Sequence, residues 1–183
     1  SREAIAGQLM PTNLVTLQRQ DDLPANFSAN LTGGASFEVG DGTYLGIIAT
    51  AGYKNERQNR SVRNQRASID DFSFVTEDST NFITDENVLV NGLLSFGLDF
   101  GENTIRWTNL YIRDTLKTAR FAEGFDVTLG SGDGADLQRQ RTAWFERQLI
   151  DTQLVGEFEF GDGAFQLDTR AGYARTDREA PFN

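Results

Sequence analysis

Apolar and polar side chains alternate with period two over long stretches of this chain. From Asn26 to Gly40, the odd positions are Phe27, Ala29, Leu31, Gly33, Ala35, Phe37 and Val39, and the even ones are polar or glycine. Leu45, Ile47, Ala49, Ala51 and Tyr53 continue the pattern, although Tyr44 and Ile48 weaken the polar face. A second block places Val88, Val90, Gly92, Leu94, Phe96, Leu98 and Phe100 on one face, followed by a mixed Thr104–Arg120 in which Ile105, Trp107 and Tyr111 share a face with Asn109 and Arg113. A third sets Ile150, Thr152, Leu154, Gly156, Phe158 and Phe160 against Asp151, Gln153, Val155, Glu157 and Glu159, then Phe165, Leu167, Thr169, Ala171 and Tyr173 against Gln166, Asp168, Arg170 and Gly172. Alternation of this kind is the mark of a strand with one apolar face. Helical spacing competes only before Pro11, where Ile5, Leu9 and Met10 offer a weak pattern.

Three glycine turns at 40–42, 101–103 and 161–163 each sit between two alternating segments, as in a tight hairpin. Long polar stretches separate the hairpins, at about 54–86 and 121–141, and read as long loops. The chain therefore predicts an all-β fold of six antiparallel, up-and-down strands. Residues 1–24 read as the tail of a preceding loop or strand, and 25–183 as three hairpins.

The segments run to roughly 12–17 residues, whereas soluble strands average about 5–6 and a tilted membrane-spanning strand needs about 9–11. Aromatic placement points the same way. Phe37, Phe96, Phe100, Trp107, Phe158, Phe160 and Phe165 lie near the tight turns, and Phe27, Tyr53, Tyr111, Trp144 and Tyr173 towards the other end. Two aromatic belts are what two membrane interfaces attract. An open six-stranded sheet would expose two edges to lipid, and bacterial barrels begin at about eight strands. The expectation is thus a six-strand segment of a large transmembrane β-barrel, with lipid and lipopolysaccharide around it.

Composition narrows the chemistry. With 17 Lys and Arg against 27 Asp and Glu, the net charge is −10, which disfavours nucleic acid as a partner. The absence of Cys and His removes disulfides, thiol and imidazole metal sites, and His-dependent nucleophilic catalysis. No apolar run approaches the roughly 18–20 residues of a transmembrane helix.

Three groups of residues invite a functional reading. Arg57, Arg60, Arg63 and Arg66 recur every third residue after Lys54, and a run of carboxylates from Asp70 to Glu86 follows. They read either as a clamp for lipopolysaccharide phosphates or another anion, or as charges compensated within a solvated loop. Gly130–Leu137 partly matches a calcium-binding glycine–aspartate repeat, but one copy supplies too few oxygens, so no metal is expected. Asp99, Asp151, Glu157, Glu159 and Asp168 could be taken for an acid–base pair, but strand alternation accounts for them as carboxylates that hydrate a lumen or dock a plug. No enzyme and no cofactor are expected.

The stretches Ala35–Gly40 with Leu45–Tyr53, Gly101–Asn109, and Trp144–Ile150 resemble the barrel region of TonB-dependent outer-membrane receptors, nearest to those of sphingomonad-type proteobacteria. The likeness spans about Leu23 to Pro181. It implies a bacterial outer-membrane barrel of about 22 strands, plugged by an N-terminal globular domain. It also implies uptake of a scarce nutrient, such as a ferric siderophore, driven by the TonB complex. The plug and the TonB-contacting segment have no counterpart here, and no ligand-binding residue carries over. A passive porin or autotransporter barrel is the neighbouring expectation, and a secreted carbohydrate-binding β-sandwich is the soluble one.

Overall fold

A computed structural model describes residue 17 and residues 22–68, 74–129 and 135–182. Six strands follow one another along the chain: β1 (Phe27–Gly40), β2 (Thr43–Ala67), β3 (Val75–Phe100), β4 (Asn103–Asp126), β5 (Ala135–Phe160) and β6 (Phe165–Phe182). They form one sheet in the order β1-β2-β3-β4-β5-β6, every neighbour antiparallel. The sheet is not closed, so β1 and β6 are its edges. Of the segment 1–24, only Leu17 and Asp22–Pro24 lie among the described residues.

The tight turns are where the glycines placed them. Gly101 has φ 59° in the first turn position between the paired residues Phe100 and Asn103, the conformation that a two-residue hairpin demands of its leading glycine. At the first hairpin the left-handed residue is Gly42, φ 68°, and a register shift between Glu38 and Gly40 absorbs the difference.

The strands reach further than the sequence suggested. Residues 54–67 and 75–86, expected as loop, are a continuous β2–β3 ladder from Lys54↔Leu89 to Ala67↔Val75. Likewise β4 runs to Asp126 before a short 3-10 turn (Val127–Leu129), and β5 begins at Ala135, so the expected loop 121–141 is mostly paired strand. Polarity suggested a loop because apolar alternation stops there. Cross-strand charge and ring pairs continue instead, and they stabilise a ladder as apolar pairs do. Phe82 stacks on Phe121 with ring centroids 6.5 Å apart. Backbones also come close there, since a Cβ on Gly124 would overlap the carbonyl of Asp78.

Among the described residues no second layer covers this sheet. Among the described residues only Ile83 (7% exposed) and Ala122 (6%) are buried hydrophobics, and both lie in the polar extension. Leu31 is 76% exposed and Phe165 74%.

Candidate functional site: the apolar face and its polar margin

Register decides what this sheet presents. Ala35 pairs with Ile47, Ile47 with Phe96, Phe96 with Trp107, Trp107 with Leu154 and Leu154 with Ala171. Directly paired residues point to the same side, so the apolar sets of all six strands fall on one face. Phe37, Phe96, Phe100, Trp107, Tyr111, Phe158, Phe160, Phe165 and Tyr173 all lie there by the same register. Rings on neighbouring strands meet, as Phe96 and Trp107 do at 5.6 Å. The opposite face carries Ser36, Asn91, Ser95, Thr108 and Gln153, with an apolar interruption where Leu93 pairs with Leu110.

The few polar groups inside the apolar face are mutually satisfied. The indole N–H of Trp107 donates to Thr152 Oγ1 at 3.0 Å, and the Thr152 hydroxyl donates to Asn109 Oδ1 at 2.8 Å. Asn109 Nδ2 in turn donates to the Leu94 carbonyl at 3.4 Å. The Thr169 hydroxyl donates to the Gly156 carbonyl at 3.3 Å. Asn109, which broke the apolar pattern in sequence, thereby has partners of its own on that face.

The tyrosines at the far margin draw an oblique line. Tyr111 lies opposite Gly92, which lies opposite Ala51, two residues from Tyr53 towards the tight turn. Tyr173 lies opposite Thr152, which lies opposite Asn109, again two residues from Tyr111 towards the turn. One residue of drift per strand, at about 3.3 Å rise and 4.8 Å strand spacing, inclines that line by about 35° to the rows of paired residues. Charges begin beyond it on the same face: Arg113 pairs with Glu146 at 2.7 Å, Arg175 with Asp177 at 3.0 Å, and Lys117 Nζ sits 4.8 Å over the Trp144 ring.

The four arginines of β2 do not form one clamp. A three-residue spacing on a strand alternates sides, so Arg57 and Arg63 share the face of Tyr53 while Arg60 and Arg66 take the other. Each meets a β3 carboxylate: Arg57 with Glu86, Arg60 with Asp85 at 2.9 Å, Arg63 with Asp78 at 2.6 Å, and Arg66 with Glu77 at 3.6 Å. Arg63 grips Asp78 through both Nε and Nη2, and Gln65 adds a third donor. The Arg63 and Gln65 hydrogen bonds lower the Asp78 pKa to about 2.

On the opposite face near the tight turns, Glu38, Asp99, Glu157 and Asp168 occupy one row, with Tyr44 and Thr104 between them. Glu159 lies one step nearer the turn on that face, and Asp151 is well removed, opposite Leu110. Gly130–Gly134 of the calcium-like run lie outside the described residues. Among the described residues no group of three acidic side chains is placed to hold a metal ion.

Two outcomes follow from this geometry. Thr152→Val leaves the Trp107 indole and Asn109 without their shared partner, and unfolding should be easier by about 0.5–1.5 kcal/mol; an unchanged thermal midpoint would contradict the satisfied network. An NMR titration of isotope-labelled aspartate carboxyls should find Asp78 with a midpoint of about 2, moving up towards the ordinary aspartate value near 4 in Arg63→Ala. Because the folded pKa is depressed, the stabilisation is full above about pH 4 and disappears as pH falls through about 2.

No family model matches the chain, and a search of curated proteins finds none that matches it.

Proposed function

We propose that the chain is a six-stranded segment of a large β-barrel in a bacterial outer membrane, and that the barrel actively takes up a scarce nutrient. The observation that carries the membrane part is the single-layered sheet whose apolar residues share one exposed face. In water such a face would have to be buried against a second layer, and lipid serves instead. The apolar run Ile150–Phe160 on β5 spans about 33 Å along the strand, or about 25 Å when tilted by about 40°, the height of a barrel's apolar band. The oblique tyrosine line supports the same tilt, since about 35° falls within the range of membrane barrels and would set the rings level at one interface.

Two edge strands need partners in lipid, so further strands complete the barrel. The polar extensions of β2–β5 then project on the side away from the tight turns, which is the outer side in barrels with short periplasmic turns. The charges just past the tyrosine line stand level with lipopolysaccharide headgroups, where Arg57 and Arg63 are the β2 arginines on the lipid side. The acidic row of Glu38, Asp99, Glu157 and Asp168 faces the lumen near the periplasmic end, where a plug domain would dock. Transport of a ferric siderophore or similar nutrient, and energy from the TonB complex, rest on the resemblance of the strand segments alone.

The test is fractionation of the full-length protein with an uptake assay. The account expects the protein in outer membranes, with a gel mobility that changes on boiling, and nutrient accumulation that a protonophore abolishes. Uptake indifferent to the protonophore would favour a passive pore. A protein that stays in solution without detergent would overturn the membrane reading.

A further inference from the structure

β1, at 14 residues, is much shorter than β2 at 25. Their pairing ends at Phe27↔Asn55, whereas β2 runs on to Ala67. Asp22–Asn26, which lead into β1, are not strand, and Pro24 among them has no N–H to offer a ladder. The Asn26 side chain closes the corner, its Oδ1 accepting from the Arg57 N–H at 2.6 Å. Beyond that point no described residue pairs with β2 on its β1 side, and Gln58–Arg66 are exposed throughout.

Three contacts fix which backbone groups face that open edge. The Arg57 N–H points to the β1 side. The Arg66 carbonyl accepts from the Thr76 hydroxyl and the Ser68 N–H donates to the Phe74 carbonyl, both on the β3 side. Main-chain groups of a strand alternate sides with period two. Even-numbered residues therefore serve the β3 ladder, and Asn59, Ser61, Arg63 and Gln65 turn their N–H and C=O groups outward. The side chains along this edge are cationic at their exposed ends. Arg60, Arg63 and Arg66 are 48%, 64% and 73% exposed, whereas their β3 partners Asp85, Asp78 and Glu77 are 21%, 21% and 19%. A guanidinium carries five N–H donors, of which Asp78 takes two from Arg63.

We infer that the outer half of β2 is a strand-addition site for an extended, antiparallel peptide with an acidic side chain at every third residue. Directly opposed residues share a face, so carboxylates opposite Arg60, Arg63 and Arg66 fall alternately on the two faces, each beside its arginine. Main-chain hydrogen bonds hold such a peptide, and the arginines select it. The same charges repel a basic strand and keep two copies of this edge from pairing with each other. On the barrel reading the edge lies on the outer side, past the tyrosine line. It stays open there, because a strand added beyond β1 is one strand spacing, about 4.8 Å, too far away to pair with β2. That location rests on the proposed function, whereas the strand addition does not.

Fluorescence anisotropy of the full-length protein in neutral detergent tests it. The probe is a labelled nine-residue threonine peptide that carries glutamate at its second, fifth and eighth positions. Saturable binding is expected, at least tenfold tighter than that of the same peptide with lysine in place of glutamate. N-methylation of its third, fifth and seventh residues keeps every charge but removes the N–H groups that face β2, and should weaken binding at least tenfold. Ser61→Pro removes an outward N–H without touching the β3 ladder, so it should weaken binding as much while keeping the wild-type circular dichroism. No saturable binding, or equal binding of the lysine or the methylated peptide, overturns the inference. Binding that survives Ser61→Pro places the peptide elsewhere and overturns it too. A protein that binds the glutamate peptide yet proves soluble without detergent keeps the site and removes the barrel.

Discussion

Every feature of this sheet depends on phase. Side chains alternate across a strand, so a slip of one residue at any of the three tight turns would swing the following strands' apolar side chains to the polar face. The turns prevent that slip. Gly101–Glu102 closes between Phe100 and Asn103 in register, and at Gly40–Gly42 the irregular step falls next to the turn, leaving Phe37 opposite Leu45. Six separate alternating patterns add into one surface because three short glycine turns keep count.

That surface then imposes a second condition. Backbone ladders satisfy the main chain between neighbouring strands, and side-chain polar atoms on the apolar face find partners on the strands beside them. The Trp107–Thr152–Asn109–Leu94 series supplies them across three strands. Where the apolar face ends, the same pairing principle works with charge: Arg113 with Glu146 and Arg57 with Glu86 continue the ladder. Side-chain character changes across the tyrosine line, while the strands continue unbroken.

Strand number, order, turn positions and the aromatic face were legible in the sequence, since period-two alternation and glycine turns are local signals. The lengths of β2 to β5 were not. Lys54–Ala67 looks like loop because its charges have no apolar partner to alternate with, and their true partners, Glu77 to Glu86, lie on the next strand. The same blindness split the arginine run. A spacing of three suggested one stripe, whereas a strand sends Arg57 and Arg60 to opposite sides. Cross-strand juxtaposition is a property of register, and register requires both strands.

The chain has no cysteine, so single labels can be placed without background. Nitroxides attached one at a time through cysteines at positions 88 to 100 of β3, in the full-length protein in lipid, would report contact with oxygen or with a water-soluble nickel complex. The account predicts that Val90, Gly92, Leu94, Phe96 and Leu98 favour oxygen, as lipid-facing sites do, and that Asn91, Leu93 and Ser95 between them do not. An absence of this two-residue period, or an oxygen preference centred on Leu93 instead of Leu94, would contradict a lipid-facing sheet.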